Sequence, residues 1–360
     1  MKFLKFDHFL MGLLTAVLLA TLFPCHGRAV PVFHYLAMSL IGLMFFLQGA
    51  RLSRQAVFQG VVAWRLHSII LLCTFVLFPA LGLLVYRLCP HLFIPQVWNG
   101  VLFLCCLPST VQSSIAFTSI AGGNIPAAVC AATASNILGI FITPALVSVI
   151  LHHDGSAMGN PMDIVYQLLV PFIVGQICQP LLGAWVHRHK ILLSFTDRGS
   201  VLVVVYVAFS SAVVEGLWHK LPLDQLGMIV LGAVVLLLTV IMITIGISRI
   251  LRVPYEDEIP IVFCGSKKTL ASGIPMAEIL FPPATVGITV IPLMIYHQIQ
   301  LFTCAVLAQY FKKKMDHILA MREQTHKAQD ENKQNENKQE ANKQEAIQTS
   351  QVVESNKVVE

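Results

Sequence analysis

The stretch VFCGSKKTLASGIP, at residues 262–275, decides how this chain folds. It lies within a long apolar run, yet it places Lys267 and Lys268 side by side among serine, threonine, glycine and proline. A lysine at the centre of a bilayer-spanning helix costs about 2.5–3.5 kcal/mol, and glycine or proline there leaves backbone groups that need other partners. Such a span is tolerated where it lines a cavity, so this stretch is the leading candidate for the functional site.

The composition around this stretch is that of a membrane protein. The chain has 360 residues, of which 56% are apolar and 12% are charged, whereas soluble domains carry about 25% charged residues. Most apolar runs approach the roughly 20 residues that span the hydrocarbon core of a bilayer. These features predict an all-α polytopic protein embedded in the lipid bilayer. The net charge is +5, but the basic residues are spread over short loops, so this charge does not indicate nucleic-acid binding.

Ten apolar spans are predicted along the chain. Their approximate boundaries are 8–24, 32–50, 66–87, 97–121, 125–151, 162–186, 199–218, 226–249, 258–282 and 286–311. The first run could be mistaken for a signal peptide, but the later spans count correctly only if it is kept as a span.

The basic residues predict the orientation of these spans. With both termini in the cytoplasm, thirteen basic residues lie inside and three outside, which is the bias expected of a protein in the inner (cytoplasmic) membrane of a cell. The inside set is Lys2, Lys5, Arg51, Arg54, Arg65, Arg188, Lys190, Arg198, Arg249, Arg252, Lys312, Lys313 and Lys314. The outside set is Arg28, Arg87 and Lys220.

The spans also repeat along the chain. Five spans over about 8–151 correspond to five over about 162–311, and because five is odd the second copy enters the membrane inverted. Inverted repeats are common in secondary transporters, whose sites lie near the midplane where interrupted helices meet. We therefore predict one transporter domain over residues 1–311, then a basic amphipathic cytoplasmic extension over 312–330. The low-complexity tail, 331–360, is expected to be disordered or at most weakly helical.

Two spans combine a helix breaker with many polar side chains. Span 4, VLFLCCLPSTVQSSIAFTSIAGGN at 101–124, is broken by Pro108, and span 9 carries the breakers Gly265, Gly273 and Pro275. The side chains expected at their crossing are Gln112, Ser113, Ser114, Ser266, Lys267, Lys268, Thr269 and Ser272. Supporting positions are Thr74, Thr133, Ser135, Asn136, His297 and Gln298. The alternative for each hydroxyl or amide is bonding to the helix backbone or packing between helices.

Adjacent residues of a regular helix point about 100° apart. Lys267 and Lys268 therefore face the crossing together only if the helix is irregular there. The choice between them stays open, with Lys268 favoured because Ser272 follows on the same face four residues later.

Four stretches carry a resemblance to a known family. They are PSTVQSSIAFTSIAGGN (108–124), ITP (142–144), FCGSKKTLASGIPM (263–276) and IPLMIYHQIQ (291–300). Together they resemble the bile acid:sodium symporter family, most closely its divergent member-7-like branch of sodium/bile acid cotransporters, which includes bacterial proteins. The likeness covers about residues 8–312 and leaves out the tail.

The resemblance implies ten helices in two inverted five-helix repeats, with broken helices 4 and 9 crossing in a core domain beside a panel domain. It also implies sodium sites near the crossing and movement of an organic anion by alternating access. The sodium-binding positions of the family fall here on Ser113, Ser114, Ala128, Ala132, Thr74 and about Ser266. The carboxylate that the family places near the last of these positions is missing.

The lysines beside that position motivate a hypothesis. The repulsion of a cation bound next to them would be on the order of several kcal/mol in a low-dielectric site. We therefore expect a lysine ammonium to occupy the space that a sodium ion fills in members of the family. Transport would then be independent of sodium or coupled to protons, because buried lysines change protonation readily. Two alternatives stay open: the lysine pairs with an anionic substrate, or it binds backbone carbonyls at the break or reaches the membrane surface.

These observations predict a secondary active transporter of a small organic anion. No G-x-x-x-x-G-K-[ST] motif is present, so ion or substrate gradients would drive it. The alternative is a non-transporting membrane regulator or scaffold on a transporter fold. Enzymatic activity and a resident metal or cofactor are not expected, because the histidines lie mostly at span ends and the nine cysteines mostly inside apolar runs.

Overall fold

The computed structural model describes residues 8–27, 29–51, 64–151, 165–216 and 221–356, and the regular elements in these ranges are all helical. The helices are α1 His8–Leu22, α2 Ala29–Arg51, α3 Trp64–Leu88, α4 Pro95–Cys106, α5 Gln112–Ala121, α6 Ile125–Leu151, α7 Val170–Arg188, α8 Lys190–Val214, α9 Leu223–Ile250, α10 Tyr255–Gly265, α11 Gly273–Leu280 and α12 Pro283–Asn356. A π-helical turn, Cys73–Leu77, lies within α3, and a second, Val165–Leu169, precedes α7.

Seven helical spans in these described ranges are long and apolar enough to cross a membrane. They are Ala29–Arg51, Trp64–Leu88, Ile125–Leu151, Tyr166–Gly183, Phe195–Val214, Leu223–Ile250 and Pro283–Met321. The chain is therefore a multi-pass membrane protein. The other three of the ten predicted spans are α1, which has 15 residues, and spans 4 and 9, each of which is divided into two shorter helices.

Some sequence predictions fall outside the described residues. Among the basic residues that predict the orientation, those outside the described residues are Lys2, Lys5, Arg28, Arg54 and Lys220. The chain segments outside the description include 152–164 and 217–220, at the ends of predicted spans, and 357–360, at the end of the tail.

The helices pack in two groups. In the first group α2 packs against α7 and α8, and α1 packs against α8. Gly49 of α2 and Gly175 of α7 let the two backbones touch: a Cβ added at Gly175 would lie 2.0 Å from the carbonyl oxygen of Phe46. Small residues at such positions allow close helix approach in membranes. The second group contains α3 to α6 and α9 to α12, and α8 joins the groups through α11 and α12.

Predicted spans 4 and 9 are both broken, as the sequence indicated. Pro108 cannot continue α4, and Leu107 before it is extended, with φ −73° and ψ 153°. Helix α5 begins at Gln112 and ends at Ala121, and Gly122 after it has a φ of +77°, which suits glycine. In span 9, α10 ends at Gly265 and α11 begins at Gly273.

Asn124 joins the end of the first broken span to the start of the second. Its Oδ1 accepts a hydrogen bond from the N–H of Ala127 at 3.0 Å, which caps α6. Its Nδ2 donates to Oδ1 of Asp257 at 2.8 Å, and its backbone N–H donates to the carbonyl of Glu256 at 2.9 Å. One side chain therefore starts α6 and holds the first turn of α10.

We expect Asn124→Ala to lower the free energy of unfolding by about 1–2 kcal/mol, because the cap of α6 is lost together with the bond to Asp257. Asn124→Ser is the matched control, since its hydroxyl keeps the cap and cannot reach Asp257. Its loss should be smaller, as measured by unfolding in mixed micelles followed by circular dichroism. Equal stability of Asn124→Ala and the unaltered protein would contradict this role.

Helix α12 continues far beyond its apolar part. The sequence predicts disorder or at most weak helicity from residue 331, whereas the structure continues the helix to Asn356. The chain after Pro292 contains no glycine or proline and is rich in lysine, glutamate, glutamine and alanine, which are good helix formers. Near the start of this extension, Met315 is buried and lies over Gly122. The division at residues 311 and 330 stays a prediction.

Candidate functional site

The two breaks meet in the interior of the second group of helices. The backbone N–H of Thr269 in the second break donates to the carbonyl of Pro108 in the first, at 3.0 Å. Two glycines permit this approach: a Cβ at Gly139 of α6 would lie 2.6 Å from Pro108, and one at Gly273 would lie 2.8 Å from Leu107. The crossing predicted from the sequence is therefore a direct backbone contact.

The ammonium of Lys268 is held by three backbone carbonyls. Its Nζ donates to the oxygens of Thr74 at 2.8 Å, Cys105 at 2.8 Å and Leu107 at 2.6 Å. It also lies 4.1 Å from the ring centroid of Phe78, a favourable cation–π distance. All three donors of the ammonium are used, and the side chain is fully buried.

Prolines explain why these carbonyls have no helical hydrogen-bond partner and can bind Lys268. In the π-helical turn of α3, the N–H of Phe78 donates to the carbonyl of Cys73, five residues earlier. The same pattern would pair the carbonyl of Thr74 with residue 79, which is a proline and has no N–H. At the end of α4, Pro108 stops the helix and leaves the last carbonyls without partners. Lys268 takes two of them, and the hydroxyl of Thr143 donates to the third, that of Cys106, at 2.9 Å.

The backbone of the second break is held by α12. The side-chain amide of Gln300 accepts from the N–H of Lys268 and donates to its carbonyl, each at 2.9 Å. The hydroxyl of Tyr296 donates to the carbonyl of Ser266 at 2.8 Å. Gln300 also donates to Nδ1 of His297 at 2.8 Å. These bonds replace the helical bonds that the break removes.

Lys267 points to the other broken span. Its Nζ donates to the hydroxyl of Ser113 at 3.2 Å and lies 4.5 and 5.6 Å from the ring centroids of Phe117 and Phe263. The side chain is fully buried, yet it makes one hydrogen bond where Lys268 makes three. Both lysines reach the crossing because the backbone is not helical between residues 266 and 272.

Hydroxyl and amide groups surround the first break. The N–H of Ser109 donates to the hydroxyl of Ser135 at 3.0 Å, and its carbonyl accepts from Asn136 at 2.8 Å. The hydroxyl of Thr110 lies within 3.0 Å of those of Ser113 and Ser114. Ser114 also donates to the carbonyl of Phe263 at 3.0 Å. Ser272 makes longer contacts of 3.4 Å with Asn136 and Thr269.

Several predicted site residues play a different part in this arrangement. The hydroxyl of Thr74 donates to its own helix, at the carbonyl of Ile70, so this residue contributes its backbone oxygen to Lys268. The hydroxyl of Ser266 likewise donates to the carbonyl of Val262. Gln112 is exposed at the start of α5. Thr133 and Gln298 are partly buried on α6 and α12.

The set predicted from the sequence omits residues that the structure brings to the crossing. They are Thr110, Gln300, the three aromatic rings beside the lysines and the carbonyls of Cys105 and Leu107. Gln300 carried a usable signal, since it is a polar residue in an apolar run four positions after Tyr296. The carbonyls carried none, because a backbone atom leaves no mark on residue type.

The electrostatics of the crossing are dominated by positive charge. Helix α4 ends beside Lys268, so the partial negative charge of its carboxyl end stabilises that ammonium. Helix α5 begins beside Lys267, where the partial positive charge of an amino end adds to that of the amine. Within the described residues neither lysine forms an ion pair with a carboxylate. The half of the crossing around Lys267 and Ser113 is thus suited to an anion.

Comparisons with known proteins agree with the resemblance in the sequence. The model of the SBF-like CPA transporter family matches residues 7–313. The chain is 51% identical over 319 residues to "Uncharacterized protein PA2026" of Pseudomonas aeruginosa, covering 87% of this chain and 95% of that protein. It is 49% identical over 321 residues to "Putative symporter YfeH" of Escherichia coli, covering 89% and 97%. Identity to "Sodium/bile acid cotransporter 7" of Mus musculus is 28% over 326 residues, covering 86% and 93%.

Proposed function

Because this chain belongs to the SBF-like CPA transporter family, we propose that it is a secondary active transporter of a small organic anion that works by alternating access without sodium. Membership of a transporter family supports transport, and relatives are named as a symporter and a sodium/bile acid cotransporter. The observation that carries the rest is the ammonium of Lys268, bound by three carbonyls at the crossing. No enzymatic role is part of this proposal.

The position of Lys268 supports sodium independence. Carbonyl oxygens that converge on one point are the usual ligands of a hard cation, and here a covalently attached cation fills that point. A sodium ion would have to displace the ammonium or bind beside it, and like charges at such distances repel strongly in a low-dielectric site. The lysine is therefore proposed as a permanent replacement for sodium.

Lys267 supports an anionic substrate. Its ammonium has donors to spare, since its one hydrogen bond is the 3.2 Å bond to Ser113. It faces the amino end of α5, where backbone N–H groups are free for a ligand. We propose that a carboxylate or similar oxyanion binds Lys267 and Ser113, with Thr110 and Ser114 beside them, when the crossing opens to one side of the membrane.

We further propose two inverted repeats of five helices, with α4 to α5 and α10 to α11 as their broken members. The packing supports this. In the proposed repeats α1 is equivalent to α7 and α2 to α8, so the contact of α2 with α7 and the contact of α1 with α8 are equivalent to each other. The first group of helices is then the panel and the second the core. If the protein lies in an inner membrane with both termini in the cytoplasm, α10 lies on the cytoplasmic side of the crossing and α11 on the outer side.

Ligand-induced thermal stabilisation tests the function. The purified full-length chain is heated with each member of a panel of carboxylates, sulfonates and phosphate esters, with sodium or potassium as the only cation. A substrate present in large excess over its dissociation constant raises the melting temperature. We expect at least one anion to raise the melting temperature. Uptake of that anion into vesicles is then measured. Failure of every anion to shift the melting temperature would oppose this function.

Uptake should not depend on sodium. In proteoliposomes we expect the initial rate of uptake of the selected anion to change less than about twofold when a sodium gradient is replaced by a potassium gradient. The reason is that anion binding is not coupled to the binding of a sodium ion. The control is the same measurement after the gradient is collapsed with an ionophore. A large rate increase on imposing the sodium gradient would refute the replacement of sodium by Lys268.

The second candidate is a regulator or scaffold that does not transport. The saturated hydrogen bonding of Lys268 and the burial of both lysines favour it, because they describe a closed crossing. A closed crossing is also one state of an alternating-access cycle, which is why transport is preferred. A regulator would bind no anion in the panel, and it would keep any cellular effect when Lys267 is changed to methionine.

A further inference from the structure

Glu278 is a buried carboxyl group that the crossing does not use. It lies in α11, is 6% exposed, and its Oε2 has no hydrogen-bond partner. In the described part of the chain the ion pair formed is that of Arg51 with Asp197, so Glu278 has no basic partner there. It follows Lys268 by ten residues and precedes the end of α11 at Leu280 by two.

The groups packed around α11 leave this carboxyl without support. Helix α11 contacts α8 and α12, and Gly273 at its start contacts α4 through Leu107. Of the titratable groups on those helices, Tyr206 donates to the carbonyl of Phe23 and Tyr296 to that of Ser266. The remaining ones are His297, which bonds Gln300, and the exposed Glu215 at the end of α8. The others are the thiols of Cys105 and Cys106 on α4 and of Cys304 on α12, then Lys190, Asp197 and Arg198 in the first part of α8, and the titratable residues of α12 from Tyr310 to its end.

A carboxylate in such surroundings is costly, and the neutral acid is the stable form. We propose that Glu278 is the proton-binding group of the transporter, which holds a proton while α11 is packed as it is here and exchanges it with water when α11 opens. The step is R–COO⁻ + H₃O⁺ → R–COOH + H₂O and needs no other reactant. This inference rests on the proposed function, because it supplies the coupling ion that a site without sodium lacks.

Helix α10 offers a matched carboxyl on the other side of the crossing. Glu258 precedes Lys268 by ten residues, is 4% exposed, and its Oε1 has no hydrogen-bond partner. It differs from Glu278 in lying in the first turn of its helix, beside Glu256 and Asp257. The free N–H groups and the dipole of a helix start stabilise negative charge. Glu258→Gln is therefore the control of similar burial, since it changes a buried carboxyl and leaves that of Glu278 in place.

Infrared spectroscopy of the purified full-length chain in lipid vesicles tests the proton site. A protonated carboxyl has a C=O stretching band separate from those of carboxylates and amides. The unaltered protein should have this band at neutral pH and lose it at strongly alkaline pH. Glu278→Gln should lack the band, Glu278→Asp should retain it, and Glu258→Gln should leave it unchanged. Persistence of the band in Glu278→Gln, or its loss in Glu258→Gln, would overturn the inference.

Uptake driven by a pH gradient gives a second readout, with the anion selected by thermal stabilisation. An acidic exterior should stimulate uptake by the unaltered protein and by Glu258→Gln, and the stimulation should be absent in Glu278→Gln. Unchanged stimulation in Glu278→Gln would also overturn the inference. A band that behaves as expected in a protein that takes up no anion would remove the proposed function and leave the proton site standing.

Discussion

Lys268→Met is expected to lower the free energy of unfolding by about 3 kcal/mol and to abolish ligand-induced stabilisation. Methionine fills a similar volume but leaves the carbonyls of Thr74, Cys105 and Leu107 without a donor. A buried polar group that loses its partner costs about 1–3 kcal/mol, and removal of the buried ammonium offsets part of that sum. The prolines that freed these carbonyls also prevent the helices from closing over them.

The measurement is unfolding in mixed micelles, followed by circular dichroism, with thermal shift in the presence of the selected anion. Lys267→Met is the matched control, since it removes one hydrogen bond and should cost about 1 kcal/mol. This variant should remain folded and still lose the response to the anion. If Lys268→Met were as stable as the unaltered protein, the three carbonyls would not depend on the ammonium, and the replacement of sodium would lose its basis.

Gly175→Ala is expected to cost about 3 kcal/mol or more. The new methyl group would lie 2.0 Å from the carbonyl oxygen of Phe46, which is backbone and cannot rotate away. Overpacking of a core costs about 1–3 kcal/mol when side chains can adjust. Here α2 and α7 must separate along their contact, so the loss should reach the upper end of that range or exceed it.

Gly246→Ala is the matched control for this prediction. Gly246 lies within α9, and an added Cβ would meet no atom within 4 Å. Alanine is favoured over glycine in a helix by about 1 kcal/mol, so this variant should be as stable as the unaltered protein or slightly more so. Unfolding in mixed micelles compares the two variants directly. Similar stability of both would show that α2 and α7 tolerate separation.

The broken helices could be predicted from the sequence because their cause is local. Pro108, and the glycines around the two lysines, interrupt apolar runs that otherwise have the length of a span. The polar side chains next to the interruptions then indicate which spans line the site. The meeting of the two breaks was predicted from the proposed repeat of the spans, and the contact between Thr269 and Pro108 agrees with that prediction.

The partners of the lysines could not be predicted, because they depend on backbone atoms and on packing between distant elements. Thr74 was predicted as a supporting polar side chain, and it acts through its carbonyl because Pro79 follows five residues later. The choice between Lys267 and Lys268 assumed a regular helix, whereas the backbone is irregular and directs Lys268 to the end of α4 and Lys267 to the start of α5, on the two sides of the first break. The helical tail shows the converse case, where the residues favour helix although their composition is typical of disorder.

The bond from Lys268 to Thr74 has a mechanical consequence. One amine holds α3 against both interrupted segments, so a rearrangement that shears α3 away from the crossing would deprive a buried ammonium of the Thr74 carbonyl and the Phe78 ring. In the proposed transport cycle, the displacement that admits and releases a solute should instead be a rigid-body rotation at the contact of α8 with α11 and α12. A cysteine cross-link across that contact would then stop turnover, whereas one between α3 and α4 would leave it running.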